Sequence, residues 1–129
     1  MPPFRKLIAV IDDDVSVRTA IERQLRIAGY RCESFSCAED FLAVAAMSGV
    51  NGIVSDVHLG GMTGLELATH AEVSRLKLPI MLISGSGDPQ VEGPARAVAA
   101  AFLRKPIPPG ELLDAILCTI GPPIAEANE

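Results

Sequence analysis

The chain has little aromatic surface, no excess of positive charge and no apolar run long enough to cross a bilayer. Aromatic residues make up 4% of its 129 residues, and 11 Lys and Arg stand against 16 Asp and Glu, for a formal net charge of −5. Sequence-independent nucleic-acid binding needs a positive face that displaces counterions from phosphate, so no direct nucleic-acid binding is expected. A membrane span needs ~18 consecutive apolar residues. The opening "MPPFRKLIAVIDDD" holds an apolar stretch too short even for the core of a signal peptide. No membrane contact and a cytoplasmic location are expected. Cysteine is scarce as well. Cys32, Cys37 and Cys118 are odd in number and lack metal-ligand spacing, which points to reduced thiols.

What is present is a core. Apolar residues make up 49% of a chain long enough to fold as one domain. Short, wholly apolar runs alternate with segments of helical period. "KLIAVI", "YRCESF", "GIVSD", "LPIMLIS" and "AFLRK" read as strands. The first intervening helix, "VRTAIERQLRIAG", places Val17, Ile21, Leu25 and Ala28 on one face, with Gly29 as its stop. "CAEDFLAVAAM" reads as a helix opened by a capping box of Ser36 and Glu39. "GLELATHAEVSRL" reads as one helix with Leu65, Ala68 and Leu76 inward, and "PGELLDAILCTI" as the last. Apolar strands separated by helices predict an α/β fold: a doubly wound, five-stranded parallel sheet with helices on both faces. The domain is expected to span residues 1–120, with "GPPIAEANE" at 121–129 a loose tail or linker stub.

In open α/β sheets the reactive crevice lies beyond the carboxyl ends of the strands. The first strand ends at Asp12, Asp13 and Asp14, and the third at Asp56. Ser84 ends the fourth, and Lys105, before Pro106, ends the fifth. Crowded carboxylates raise one another's pKa and resist desolvation, so three aspartates in a row need a reason. Singly these residues mean little: Asp14 reads best as a helix N-cap, and the others suit ordinary turns. Jointly they place carboxylates, a hydroxyl and an ammonium on one sheet edge. Such an oxygen-rich cluster suits a hard cation, and lysine with serine suits a phosphate.

The pieces "IAVIDDD", "IVSDVHLGGMTGLEL", "IMLISGSGD" and "FLRKPI" resemble the receiver domain of bacterial two-component response regulators, in that family's order, from about Leu7 to Ile120. The resemblance implies a flavodoxin-like sheet of strand order 2-1-3-4-5. It implies Asp56 as phosphoryl acceptor, supplied by a sensor histidine kinase or phosphotransfer protein. Asp13 and Asp56 would bind Mg²⁺ directly with the backbone carbonyl of His58, while Asp12 assists through water. Ser84 would contact the attached phosphoryl group, Lys105 its oxygens, and Lys105–Pro106 would be cis. Phe102 falls at the aromatic switch position. A phosphoacceptor of this kind assists its own chemistry but is not an enzyme, and its distal face would meet a downstream protein target or a second copy. His58 and His70 read as ordinary loop and helix-surface residues.

The sequence departs from the family pattern in places. Gly60 stands where proline is usual, Ser84 replaces the commoner threonine, and Phe102 lacks a phenolic hydroxyl. The segment "GSGDPQVEGPARAVAA" is slightly short, Val98 stands where a glycine often ends the helix, and Gly93-Pro94 interrupts it. Proline suits a first helical turn and harms an interior. Residues 85–93 are therefore expected to be mostly loop, with a short helix starting near Pro94. A degenerate receiver acting only as a binding module is the alternative this segment raises. A haloacid dehalogenase-like phosphatase would use Asp12 as nucleophile and Asp14 as acid/base. It expects a further acidic pair at a strand end, whereas Glu111 and Asp114 fall within the last helix. A flavin module fits poorly, since "DDDVSVR" offers acid where phosphate needs backbone donors.

Overall fold

Five strands form on the apolar runs: β1 (Leu7–Ile11), β2 (Arg31–Phe35), β3 (Gly52–Asp56), β4 (Ile80–Ser84) and β5 (Ala101–Arg104). They pair in parallel in the order β2-β1-β3-β4-β5, the doubly wound arrangement expected. This computed structural model describes residues 5–124 apart from 86 and 109. The helices between the strands are α1 (Val15–Ile27), α2 (Ala38–Ser48), α3 (Gly64–Ala68), α4 (Ala71–Leu76), α5 (Pro89–Val98) and α6 (Glu111–Thr119).

The period of two along each strand divides the core into two layers. Ile8 and Val10 of β1, Val54 of β3, and Met81 and Ile83 of β4 face Ile21 and Leu25 of α1 and Leu112 and Ile116 of α6. Their neighbours Ala9, Ile11, Ile53, Ile80 and Leu82 face the other way, against Phe41, Leu67, Val73 and Ala95 from α2 to α5. Each fully buried aliphatic side chain contributes about 1.5–3 kcal/mol relative to exposure. A slip of one residue in a central strand would exchange the side chains of the two layers, which differ in shape, so packing fixes the register. It also fixes which residues stand at the strand ends.

Four local expectations are corrected. The capping box of Ser36 and Glu39 does not form: Cys37 is the N-cap of α2 and has no side-chain cap bond, because the Glu39 carboxylate accepts the Met62 N–H at 2.8 Å instead. The single helix over "GLELATHAEVSRL" is two. Thr69 Oγ1 donates to the carbonyls of Leu65 and Glu66, both at 3.2 Å, and closes α3. His70 then turns extended, and its Nδ1 accepts the Glu72 N–H at 3.0 Å to open α4, so it is a cap rather than a helix-surface residue. The break rotates the inward face: Leu67 and Val73 are fully buried, Ala68 and Leu76 half-buried against them, and Leu65 is only half-buried.

The segment after β4 is more helical than expected. Helix α5 begins at Pro89, with Asp88 as N-cap accepting the Gln90 N–H at 2.9 Å. An acidic cap followed by proline is a stronger start than Gly93-Pro94, since both residues suit their positions. Pro94 is carried inside the helix, where it denies the Gln90 carbonyl its donor four residues on. At the other end, residues 121–124 are held. Lys6 N donates to Pro123 O at 2.8 Å, Tyr30 Oη to Gly121 O at 2.7 Å, and Arg5 bridges Ile124. The remainder of the expected tail, 125–129, lies outside the described residues.

Candidate functional site

Lys105 joins the ends of β1 and β3. Its Nζ lies 2.5 Å from Asp56 Oδ2 and 3.3 Å from Asp12 Oδ2. Asp12 and Asp56 are buried, and the Lys105 side chain is 26% exposed, so the ammonium closes the acid pair from the solvent side.

Local chemistry sets each group. Beyond β1 the Asp12 amide still pairs with Phe35 O at 3.1 Å, and Asp12 Oδ1 accepts the Asp14 N–H at 2.9 Å, turning the chain. Asp14 then caps α1, as read from sequence, by accepting the Ser16 N–H at 2.8 Å. Arg18, one turn into α1, donates from Nη1 to the Asp12 carbonyl at 2.6 Å and pins the turn. At the end of β3, Asp56 Oδ1 accepts the His58 N–H at 2.7 Å, which leaves Oδ2 toward Lys105. Val57 and Leu59 are buried while His58 between them is exposed, so the loop is plugged into the core on alternate residues. Gly64 opens α3 tight against this strand end: a Cβ there would lie 2.2 Å from Asp56 O and 2.9 Å from Val57 Cα.

The other two strands bring their end groups alongside. Ser84 is fully buried, and its carbonyl accepts the Lys105 N–H at 2.9 Å. Asp56 pairs in register with Ile83, so Ser84 stands one residue farther along on the adjacent strand. The Lys105–Pro106 peptide is cis, as the resemblance implied. Phe102, in register with Leu82, is half-buried against the layer that holds Val91 and Ala99, beneath the Arg96 guanidinium.

The electrostatics follow from burial. Desolvation raises the Asp12 pKa above the ordinary aspartate value; the Asp14 N–H and the charge of Lys105 oppose this, and the charge of Asp56 adds to it. For Lys105, burial acts to lower the pKa, but the hydrogen bond and charge of Asp56, then of Asp12, outweigh it and the net shift is upward. A carboxyl that resists ionisation beside a firmly held ammonium is a site prepared for more positive charge.

Of the residues singled out from sequence, Asp12, Asp56 and Lys105 are in contact, and Ser84 is hydrogen-bonded to Lys105 through the backbone. Asp13 is exposed and outside the Lys105 cluster. Among the described residues, no three acidic, His or Cys side chains stand together as a ready metal cage. Magnesium does not require one, since it is commonly held by one or two carboxylates, waters and substrate oxygens. The donor set here, the buried oxygens of Asp12 and Asp56 with exposed Asp13 next to Asp12 in the chain, fits a hard cation. Two hollows of about 480 Å³ each lie beside edge strand β2 and include none of these groups. A groove of about 260 Å³ formed by Val17, Ile21, Gln24 and Ile107 does reach Lys105. Sequence reasoning missed Arg18 and Gly64, and read Glu39 only as half of a capping box. Only Gly64 carried a signal, a glycine at the first position of a helix, where it has no propensity to recommend it.

The sequence and the fold have relatives among known proteins. The model of the response regulator receiver domain matches residues 8–117. Nodulation protein W of Bradyrhizobium diazoefficiens is 31% identical over 88% of this chain and 50% of its own length. Response regulator protein TodT of Pseudomonas putida is 34% identical over 85% of this chain and 49% of its own. Among solved structures, the response regulator StyR superposes with a TM-score of 0.77 at 34% identity, covering 91% of this chain and 60% of that one. The Vibrio cholerae chemotaxis protein CheY4 superposes with a TM-score of 0.80 at 28% identity, covering 90% and 99%. The chain thus spans about half the length of these two curated relatives. Among the described residues, no helix is long and apolar enough to cross a membrane.

Proposed function

This chain belongs to the response regulator receiver domain family, which serves phosphorylation-based two-component signalling, and from that premise we propose that it accepts a phosphoryl group on Asp56 in a cytoplasmic phosphorelay. The observation that carries the reading is the contact between Asp56 Oδ2 at the end of the central strand and Lys105 Nζ at 2.5 Å.

The donor is a sensor histidine kinase or phosphotransfer protein. An Asp56 oxygen attacks phosphorus, the bond from phosphorus to the donor imidazole breaks, and an acyl phosphate results. Phosphoryl transfer of this kind depends on position and charge rather than on covalent assistance. Lys105 provides a cation on the Asp56 side, and Ser84 a hydroxyl at the adjoining strand end. The residues fit Mg²⁺: Asp13, Asp56 and the His58 carbonyl would hold it, with Asp12 acting through water. When bound, the ion neutralises charge on the transferring group. Water later hydrolyses the acyl phosphate and resets the site. Recruitment of Ser84 and Lys105 by the new dianion biases Phe102 and the α5–β5 face, which meets a downstream protein or a second copy.

Incubation with acetyl phosphate and Mg²⁺, followed by intact-mass measurement and mapping, tests this. A phosphoryl adduct on Asp56, lost in Asp56→Asn, is expected. An adduct that persists in Asp56→Asn and maps to Asp12 favours the phosphatase reading, and no adduct with any donor favours a binding module. The cation has its own test. Mg²⁺ should raise the melting temperature of the wild type more than that of Asp13→Asn, since a ligand stabilises only the state that binds it.

A further inference from the structure

We propose that Glu39 is a positioning residue for the loop at 57–63, held in place from α2 so that the His58 carbonyl is fixed beside Asp56; the proposal rests on the reading of the site as a phosphoacceptor. Glu39 and the Met62 amide it accepts are 23 residues apart, and nothing in the first turn of a helix required this partner.

The loop is short of internal restraints where it matters. Its beginning is tied by the His58 N–H to Asp56 Oδ1, and its end by the reciprocal bonds of Thr63 and Glu66 that open α3. Between them, residues 59–62 carry two adjacent glycines, Gly60 and Gly61. Glycine loses the most backbone freedom on ordering, so this stretch has the largest tendency to move. Gly60 has nothing near it: an added Cβ would meet no atom within 4 Å. Among the described residues, the one hydrogen bond from residues 59–63 to an element other than α3 is the Met62 N–H to Glu39 Oε2, at 2.8 Å.

The approach of Glu39 is built into the backbone. Gly61 is left-handed, φ +73°, and a Cβ there would lie 2.6 Å from Glu39 Oε2. The glycine therefore allows the turn and also leaves room for the carboxylate. The acceptance of the Met62 N–H is the largest influence on Glu39 and holds its carboxyl below the ordinary glutamate value. A charged acceptor on a backbone N–H is the stronger kind of hydrogen bond. It restrains from outside a turn that its own sequence leaves loose.

The consequence is for metal affinity. A cation that takes one oxygen from this loop must order whatever the free protein leaves mobile, and prior ordering reduces that cost. Losing the brace should therefore weaken Mg²⁺ binding while leaving the metal-free fold nearly as stable as before.

The test is Mg²⁺ titration by calorimetry on the full chain, with metal-free melting temperature and Met62 amide exchange measured alongside. Glu39→Ala should weaken Mg²⁺ binding about three- to tenfold and speed exchange at Met62. Glu39→Gln, which keeps an acceptor oxygen, should lie close to wild type. Gly61→Ala, with Glu39 intact, should reproduce the loss by pushing the carboxylate away. Adding Gly60→Pro to Glu39→Ala should recover much of the affinity, because proline removes the freedom the brace suppresses. Wild-type Mg²⁺ affinity in Glu39→Ala, with unchanged Met62 exchange, overturns the proposal and leaves the phosphoacceptor reading standing. Failure of the wild type to bind Mg²⁺ overturns both.

Discussion

The Arg96 guanidinium lies 4.7 Å from the centre of the Phe102 ring. Arg96 is one helical turn from Glu92, its Nε 3.5 Å from Glu92 Oε1, and Glu92 also holds the Arg104 guanidinium. Phe102 and Arg104 are two apart on β5, hence on one face, just as Glu92 and Arg96 share a face of α5. The four side chains link helix to strand in one run of contacts that ends at Arg104, the residue before Lys105. Phe102 has no hydroxyl, and the Arg96 guanidinium is the charged group that meets its ring.

A double-mutant cycle measures that contact. Arg96→Ala and Phe102→Leu, singly and together, should show a coupling of about 0.5–1 kcal/mol in urea denaturation, the range for a partly exposed cation–π pair. Additive effects would mean the ring stacks without holding.

Asp12 makes stability pH-dependent in a definite direction. Its pKa is raised in the folded state, by burial first, so the folded chain binds more protons than the unfolded one above the ordinary aspartate value. Stability from this residue is greatest in acid and is lost as pH rises through that window toward the raised value. In metal-free buffer, Asp12→Asn should flatten this part of the stability-against-pH curve. At neutral pH it should gain stability, because the neutral amide avoids the desolvation cost that raises the Asp12 pKa.

Two glycines with similar-sounding clashes should behave differently. A Cβ at Gly64 meets backbone, at 2.2 Å from Asp56 O, whereas one at Gly52 meets the end of the Ile120 side chain at 2.3 Å. Backbone at Asp56 cannot yield without moving its contact with Lys105. Gly64→Ala should cost about 2–4 kcal/mol in urea denaturation and impair phosphorylation. Gly52→Ala should cost less, because Ile120 can change rotamer, and should leave phosphorylation intact.

Helix α5 carries Gly93 and Pro94 in succession, neither suited to a helix interior. Pro94→Ala restores a donor for the Gln90 carbonyl, and Gly93→Ala has open space for its methyl group. Each should raise stability, by about 1–3 kcal/mol for Pro94→Ala and about 0.5–1 kcal/mol for Gly93→Ala. Hydrogen exchange across 90–98 should slow in both. If the weakness of α5 serves switching, both should also lower affinity for a phosphoryl mimic such as beryllofluoride.

The sequence by itself determined the sheet and its reactive edge. Strand ends follow from where apolar runs stop, and the alternation of Ile8, Ala9 and Val10 between layers follows from backbone geometry alone. Asp12, Asp56, Ser84 and Lys105 were therefore placed on one edge by local pattern plus the rule that parallel strands share a direction. Asp14 as a cap was legible for the same reason, since its partner Ser16 is two residues away. Tertiary structure decided what depends on a distant partner. The Ser36 and Glu39 pattern reads as a capping box, yet Glu39 bonds Met62, 23 residues on, because the packing of α2 beside the β3 loop brings that N–H within reach. The helix from Gly64 divides at His70, and α5 runs through Pro94, because burial of Leu67, Val73 and Ala95 against the sheet outweighs what each local sequence prefers. Local propensities differ by about 1 kcal/mol per residue, and proline by about 3, whereas a buried side chain contributes as much or more. Where the two agree, the sequence can be read directly; where they conflict, the contacts prevail.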